Sequence, residues 1–307
     1  MKLPSVVRRR PAGEGWLGRK RKLEAWLFIA PLLLFVVIFV FLPVIGTLIN
    51  AFFRDVAYLE KAFVLFDNFS SLLSDPAFHQ VARFTLCFVF VSVPLELAVG
   101  LAVALLLHER IPCRGFLRAC MLIPWAIPAA VSGRVWELIY NVQYGAANMI
   151  LEATGLTQAP VNWLGTSFGA FSAIVIADAW KTSPFVAVIL MAGLANISRD
   201  LYEQAKVDGA NALQCFWHVT LPLLRPVLTV VLLFRTIDAL RIFDLNYVLT
   251  GGGPGGATTS FSLYGYNYLL AGDFGYGSAV SVVLFVAALT ISLITIRVGR
   301  FERVLEK

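Results

Sequence analysis

Charged side chains are scarce in this chain of 307 residues. They occupy 14% of the positions, whereas hydrophobic residues occupy 59%, and the mean hydropathy is +0.77. A soluble domain averages ~25% charged and ~45–50% apolar residues. Because this apolar surplus exceeds what a core surrounded by water can hold, the composition predicts a protein embedded in lipid.

Motifs for catalysis and metal binding are also missing. The sequence contains no G-x-x-x-x-G-K-[ST] loop for holding phosphates, and no lysine follows the glycine run at 251–256. The four cysteines show no C-x-x-C spacing and the three histidines form no H-E-x-x-H, which argues against a disulfide framework or a zinc site. We therefore expect no catalytic residue, no metal site and no cofactor in this chain.

Long apolar segments are abundant. A hydrocarbon core of about 30 Å needs ~20 apolar residues in a helix. The segments that qualify lie at 25–49, 82–107, 116–140, 169–195, 227–249 and 277–298. The first exceeds the ~7–15 apolar residues of a signal peptide and lacks a small-x-small cleavage site, so we expect it to be retained. The pattern predicts an all-α membrane protein with six transmembrane helices.

The distribution of Lys and Arg predicts the orientation. Basic residues are concentrated in positions 1–22 and in the other segments that share a side with the N-terminus, whereas the opposite loops hold only Arg54 and Lys61. Basic loops stay in the cytoplasm, so both termini are expected there. Because the basic tail directly precedes a span, we interpret it as a topological anchor and expect no binding to nucleic acid.

The predicted organisation is a single membrane domain with two tails. A basic cytoplasmic tail covers 1–24, the six-helix domain covers 25–298, and a cytoplasmic tail covers 299–307. No loop is long enough to hold a further soluble domain. Within the membrane domain, the inner segment 198–222 is polar and compatible with short helices.

This inner segment has specific residues at fixed spacing, a pattern that chance rarely produces. It contains Glu203, then Ala205, then Gly209 six residues after the glutamate, and it ends on Leu221-Pro222. Small residues permit close approach to another protein, and Gly209 permits a positive φ where the chain turns between two short helices. Pro222 suits the first turn of the following helix, where its missing N–H is harmless.

Ionisable residues also occur inside the predicted spans, where each costs roughly 2.5–3.5 kcal/mol on insertion scales. Such residues either form ion pairs that fix helix packing or line a polar path flanked by aromatic rings, and the sequence leaves both open. The candidates for a substrate path are Asp178, Lys181, Asp238, Arg241, Phe243, Asp244 and Tyr247. The four charges from Arg235 to Asp244 are spaced by three residues, so they cannot share one face unless the helix bends.

These motifs together resemble a known family. The segment from Glu203 to Pro222 resembles the EAA loop of ABC importer permeases, although Gln204 departs from the pattern that names it. The stretches 122–128, 178–185 and 234–254 resemble the larger permease of carbohydrate importers, a group that includes maltose, trehalose and glycerol-3-phosphate systems. The resemblance covers all six predicted spans and implies the type I ABC importer permease architecture.

The resemblance also implies partners and roles. It implies that Glu203, Ala205, Gly209, Leu221 and Pro222 couple this chain to an ATPase, and that two copies of the ATPase bind ATP and Mg²⁺. It further implies a second, homologous permease subunit and an extracytoplasmic substrate-binding protein in a bacterial or archaeal cytoplasmic membrane. The expected function is import of a disaccharide or oligosaccharide, for which a trehalose-like sugar is the first candidate.

Alternatives remain at this level. One is an ABC permease for glycerol-3-phosphate or a polyol, because basic residues such as Lys181 and Arg241 suit a phosphate as well as a hydroxyl. Another is an ion-coupled secondary transporter that uses the intramembrane carboxylates as proton sites. That hypothesis does not explain the pattern from Glu203 to Pro222.

Overall fold

A computed structural model of the chain describes residues 14–109 and 111–298. The predicted tail at 1–24 lies largely outside the described residues, and the predicted tail at 299–307 lies wholly outside them. The described part is mostly helical.

Fourteen α-helices are present in this part of the chain. In order they are α1 (Glu14–Val36), α2 (Leu42–Asn50), α3 (Asp67–Ser74), α4 (Pro76–His108), α5 (Arg114–Ala126), α6 (Ala129–Ile139), α7 (Ala146–Ala153), α8 (Ser167–Ala195), α9 (Arg199–Val207), α10 (Ala212–Cys215), α11 (Leu221–Leu240), α12 (Asp244–Leu249), α13 (Phe261–Leu270) and α14 (Phe274–Val298). A π-helical turn, Val37–Phe41, joins α1 to α2, and another, Phe216–Thr220, joins α10 to α11.

Five continuous helical stretches among the described residues are long and apolar enough to cross a membrane, and a sixth is bent. The continuous ones are Glu24–Asn50, Pro76–His108, Ser167–Ala195, Ala212–Leu240 and Phe274–Arg297, and the bent one is α5 with α6. The prediction of an all-α protein with six spans is confirmed when the bent pair counts as one span.

The third predicted span, 116–140, is not a straight helix. Helix α5 ends at Ala126, α6 begins at Ala129, and the two are bent by 94°. Pro128 has no N–H to donate and disfavours helical geometry at Ile127, whose backbone is extended, with φ −70° and ψ 131°. Hydropathy averaged over a window does not register such a break, so the prediction of one continuous helix was wrong here.

The fifth predicted span, 227–249, is displaced. The helical stretch begins earlier, at Ala212, and ends at Leu240. Residues 241–243 are not helical, and α12 follows from Asp244. The break falls within the series of charges spaced by three residues, where a straight helix would have turned one of them toward lipid.

The loops predicted to lie outside contain short elements, including the only β-strands in the described residues. Strand β1 (Phe53–Arg54) pairs antiparallel with β2 (Ala62–Phe63), with Phe53 opposite Phe63, and a bridge between Val56 and Asp273 ties this hairpin to the start of α14. The loop after α12 is compact because Thr258, which is fully buried, donates from its hydroxyl to the Gly253 carbonyl at 2.7 Å.

Helices α4 and α8 form the centre of the molecule. They approach closely at Gly100, where a Cβ would lie 2.5 Å from Cγ1 of Val186. The apolar core combines residues of α4 and α8 with residues of α11 and α12. By contrast, no residue in the apolar window of the first span is buried within this chain, so that span presents its surface to lipid or to another protein.

Candidate functional site

A buried ion cluster joins the three central helices. Arg235 on α11 donates from Nε to Glu96 Oε2 on α4 at 2.5 Å and from Nη2 to Asp178 Oδ2 on α8 at 3.3 Å. The exposed fractions of the three side chains are 5% for Arg235, 0% for Glu96 and 11% for Asp178. Arg235 therefore compensates two carboxylates at once in a low-dielectric interior.

Ser92 completes the cluster. It lies one helical turn before Glu96, and its buried hydroxyl lies within hydrogen-bonding distance of both Glu96 Oε1 and, at 3.1 Å, Asp178 Oδ2, so that its one proton can serve either carboxylate. Unpaired charges are costly inside a membrane protein, so the hydrogen bonds supplied by Ser92 and Arg235 are what permit two carboxylates to lie side by side.

A second, more exposed pair continues from the buried cluster. Asp238 accepts from Nη1 of Arg235 at 3.4 Å and from Nη2 of Arg241 at 2.9 Å. The exposed fraction rises to 42% for Asp238 and 69% for Arg241. The charged network thus runs from the sealed interior to an accessible surface.

That surface is a cavity of about 430 Å³. Its wall includes six of the seven residues predicted for a substrate path, namely Asp178, Lys181, Asp238, Arg241, Phe243 and Asp244. The other members of the wall are Trp125, Ala129, Thr182, Arg235, Ala239, Ile242 and Leu245. Both helix breaks therefore border the cavity.

Tyr247 is the predicted path residue that does not line the cavity. Its ring stacks on Phe243 with centroids 5.6 Å apart and planes 9° apart. Tyr266 packs edge-on against both rings. Tyr247 therefore supports the aromatic ring that does face the cavity.

Lys181 has a structural role as well as a place in the cavity wall. Its Nζ donates to the Ile127 carbonyl at 2.6 Å and lies 3.4 Å from the Trp125 carbonyl. These carbonyls lie at the break between α5 and α6, where helix bonds are lost. Lys181 thus satisfies the break and fixes the segment that carries Trp125, whose ring stacks on Phe185.

The predicted coupling loop is formed by α9, a turn and α10. The Ser198 hydroxyl caps α9 by accepting from the Asp200 N–H. Gly209 has φ +84° and lies between the two short helices, where only glycine takes this conformation without strain. Asn211 and Gln214 form a reciprocal capping box that starts α10.

This loop presents an acidic surface. None of the residues of α9 is buried. Asp200, Glu203 and Asp208 surround a shallow depression together with Gln204 and Val207, and Val207 is 88% exposed. Helix α9 is therefore exposed along its length and carries an apolar side chain that nothing in the described chain covers.

The remaining predicted coupling residues lie on both sides of that surface. Ala205 is half-buried on α9, and Gly209 is exposed. Leu221 and Pro222 open α11, directly after the π-helical turn. They therefore belong to a helix that continues without interruption from Ala212 into the membrane.

Ser92, Glu96 and Arg235 are absent from the predicted site, yet they form its buried base. The available signals were Ser92 and Glu96 one turn apart on an apolar helix and Arg235 three residues before Asp238. Sequence spacing shows pairs within one helix, whereas the decisive pairs join α4 to α8 and α11.

Comparison with known proteins identifies the family. The family described as the inner membrane component of binding-protein-dependent transport systems matches residues 96–307. The chain belongs to this family. The matched region of this permease begins at Glu96, so it contains the three charged residues of the ion cluster, the cavity wall and the loop built on α9, whereas Ser92 lies just before it.

Two relatives are similar to this permease over almost its whole length. The trehalose/maltose transport system permease protein of Thermococcus litoralis is 53% identical over 286 residues, which cover 93% of this chain and 96% of that protein. The sulfoquinovosyl glycerol transport system permease protein of Agrobacterium fabrum is 36% identical over 293 residues, covering 94% of each.

Solved structures support the fold of this permease. A bacterial ABC transporter involved in the import of the acidic polysaccharide alginate has a chain that superposes with a TM-score of 0.81. The match covers 93% of this chain and 98% of the other at 24% sequence identity. The six-span arrangement is therefore that of type I ABC importer permeases.

Proposed function

We propose that this permease imports a neutral, glucose-containing disaccharide of the trehalose or maltose type. The observation that carries the proposal is the engagement of every cation in the wall of the cavity. Lys181 donates to backbone carbonyls, Arg235 to Glu96 and Asp178, and Arg241 to Asp238. Three cations face three carboxylates in the wall, and Glu96 lies behind them. A neutral solute enters such a site without disturbing these pairs.

The chemistry of sugars suits this wall. Hydroxyl groups both donate and accept, so they can bond to carboxylates and to guanidinium groups that are already paired. The exposed faces of Trp125 and Phe243 offer apolar surface for the sugar ring. The 53% identity to a trehalose/maltose permease supports the same class of substrate.

Glycerol-3-phosphate is the second candidate, and one observation favours it. Arg241 is 69% exposed in its side chain, and its Nη2 and Nε both engage Asp238 Oδ1, which leaves Nη1 directed elsewhere. A phosphate would compete with Asp238 for this guanidinium. Binding of the anion would therefore require partial opening of an existing ion pair.

The proposal includes the partners that supply energy and substrate. The exposed α9, with the acidic depression beside it, would dock onto an ATPase subunit, of which two copies would bind ATP and Mg²⁺ and hydrolyse ATP. A second homologous permease would complete the path, and an extracytoplasmic binding protein would deliver the sugar. The absence of a phosphate-binding loop from the sequence and the family description support this division of labour.

In this scheme ATP-driven closure of the ATPases pushes α9 and rocks the helical core. The cavity would then open in turn to the cytoplasm and to the binding protein. In this scheme both termini of the chain lie in the cytoplasm, because basic segments are retained there. The loop of α9 lies on the same side, where it can reach the ATPase.

The test begins with purification of the tagged full-length chain from its native membrane in mild detergent. Mass spectrometry should identify an ATPase and a second permease among co-purifying proteins. The complex is then reconstituted in liposomes with its binding protein, and uptake of radiolabelled trehalose is measured with and without ATP.

The competing functions give different results in this assay. The proposal expects ATP-dependent uptake that unlabelled trehalose or maltose inhibits and glycerol-3-phosphate does not. ATP-dependent uptake of radiolabelled glycerol-3-phosphate in the same liposomes, with no uptake of trehalose, would favour the second candidate. Uptake by the isolated chain, driven by an ion gradient and indifferent to ATP, would overturn the importer assignment.

A further inference from the structure

Helix α9 is joined to the rest of the molecule by few contacts. None of its residues is buried, and the turn that follows it contains Gly209, around which a Cβ would meet no atom within 4 Å. Because glycine is permissive and nothing packs against it, the covalent connection from α9 to α10 can act as a pivot. A push on α9 would then tilt the helix unless another contact resists.

One hydrogen-bonded chain provides that contact. The Tyr202 hydroxyl of α9 lies 3.0 Å from Thr220 Oγ1, and Thr220 Oγ1 lies 3.5 Å from the Cys215 carbonyl as its donor. Because a carbonyl can only accept, the chain is complete when Tyr202 donates to Thr220 and Thr220 donates to Cys215. Within the part of the chain that the structure describes, this is the one hydrogen bond from α9 to another helix.

The π-helical turn explains why Thr220 is in the right place. Cys215 and Thr220 are both buried, yet in an α-helix residues five apart point about 140° away from each other, at ~100° per residue. In the turn Phe216–Thr220 the Leu221 N–H bonds to the Phe216 carbonyl, five residues back. The wider turn brings Cys215 and Thr220 to the same side, and single π turns recur at functional sites.

We propose that the chain Tyr202–Thr220–Cys215 transmits the movement of α9 to α11, which makes Tyr202 and Thr220 positioning residues for coupling. This inference rests on the proposed docking of α9 to an ATPase. Helix α11 carries Arg235 at the buried cluster and Asp238 at the cavity. A push that reaches Thr220 would therefore be passed along one continuous helix to the cavity wall.

The test measures how much sugar is imported per ATP hydrolysed by the reconstituted full complex. Tyr202→Phe and Thr220→Val each remove one hydroxyl while keeping the shape of the side chain. Each is expected to lower the ratio by about two- to tenfold, the range for one lost hydrogen bond. Because both remove the same link, Tyr202→Phe/Thr220→Val should be no worse than either single variant.

Two controls separate the link from general damage. Thr220→Ser keeps the hydroxyl and should retain the coupling ratio. Tyr144→Phe removes a hydroxyl from an exposed tyrosine of an outer loop and should also leave the ratio as it was. A ratio in Tyr202→Phe equal to that of the unaltered complex, or strictly additive losses in the double variant, would refute the link.

Failure of the inference can be distinguished from failure of the proposed function. If the unaltered chain recruits no ATPase and imports nothing on ATP, the proposed function fails. If the unaltered complex couples uptake to ATP and Tyr202→Phe couples equally well, only the link fails.

Discussion

At the scale of single residues, Arg235 decides the stability of the membrane interior. It is the shared partner of Glu96 and Asp178, and all three belong to different spans. Forming a buried ion pair yields little net stability, because desolvation offsets the attraction, whereas removing one partner strands the others without compensation. Arg235 is therefore important because its loss would leave Glu96 and Asp178 buried without a compensating charge.

Replacement of Arg235 by methionine should destabilise the protein by about 3–5 kcal/mol, the usual cost of breaking a buried pair. The measurement is thermal unfolding of the purified protein in detergent. Arg134→Met is the matched control, since Arg134 pairs with Glu137 at 2.6 Å but is 69% exposed. An exposed pair contributes up to about 1 kcal/mol, so equal losses in both variants would contradict this account of the cluster.

Replacement of Asp238 by asparagine should act mainly on transport. Asp238 is partly exposed at the cavity and holds Arg241, so its loss frees a cation toward the solute while leaving the bonds from Arg235 to Glu96 intact. We expect uptake to fall several-fold with a smaller loss of stability than in Arg235→Met. Glu137→Gln removes a comparable partner of an arginine outside the cavity, and its uptake should remain normal.

At the scale of elements, the breaks in two helices create the cavity. The bend between α5 and α6 supplies Trp125 and Ala129, and the break at 241–243 supplies Arg241, Ile242 and Phe243. Irregular backbone is tolerated at membrane depth where it is buried in protein or lines a cavity, because its free polar groups then find partners. Lys181 is such a partner for the first break.

Gly209→Asp should leave the protein folded and inserted but reduce ATP-driven uptake at least about tenfold, as expected for a charge placed in an interface. No atom of this chain lies near a Cβ at Gly209, and aspartate tolerates the left-handed region better than most residues. Gly155→Asp is the control, because Gly155 has φ +70° and equally open surroundings. Uptake by Gly209→Asp equal to that of Gly155→Asp would remove Gly209 from the coupling surface.

The start of α4 is fastened to α13 and α14 by Asp75. Its Oδ2 accepts from the Tyr264 hydroxyl at 2.5 Å and from the Tyr276 hydroxyl at 3.2 Å. The bond from Tyr264, with further bonds from Ala77 N–H and Tyr276 and the charge of His79, holds the pKa of Asp75 below its usual value of 3.8 against a smaller opposing effect of burial.

This lowered pKa gives a pH dependence with a definite sign. The charged form of Asp75 stabilises the fold above pH 3.8, and the contribution is lost as the pH falls through the lower pKa of the folded state. Asp75→Asn should therefore melt at a lower temperature than the unaltered protein at pH 7. The difference should shrink when melting is repeated below pH 3.8, and a difference that stays constant with pH would contradict the assignment.

Much of this architecture could be predicted because it depends on local composition. Apolar length located the spans, and the glycine six residues after Glu203 marked the turn that has φ +84°. Pro128 marks the break at Ile127 locally, but the backbone carbonyls at both breaks are bonded by distant residues, Ile127 by Lys181 and Ile242 by Ser260, which no local pattern predicts. Arg235 and Glu96 are 139 residues apart, and the sequence around either residue gives no indication that they pair.

At the scale of the whole molecule, the two ends of the helical bundle differ in character. The loop of α9 is exposed and holds the acidic depression, whereas the opposite end carries the β1–β2 hairpin and the compact loop after α12. The distribution of basic residues assigns the α9 end to the cytoplasm. This orientation predicts from which side of the membrane a reagent can reach each end of the bundle.

Labelling of single cysteines tests that orientation. In a background with the native cysteines replaced by serine, Leu213→Cys and Tyr144→Cys each place a thiol at an exposed position, at opposite ends of the bundle. A reagent that cannot cross the membrane should label Tyr144→Cys in intact cells and Leu213→Cys only after permeabilisation. The reverse pattern would place the α9 loop outside and rule out its contact with a cytoplasmic ATPase.

The separation of Glu96 from Arg235 has a consequence for synthesis. Glu96 is synthesised 139 residues before Arg235, an interval on the order of ten seconds at cellular rates of synthesis. During that interval Ser92 is the partner within its own helix. The nascent chain must therefore shelter an acidic side chain at the insertion machinery, so the order of translation, and not the final fold alone, limits which residues this position can carry.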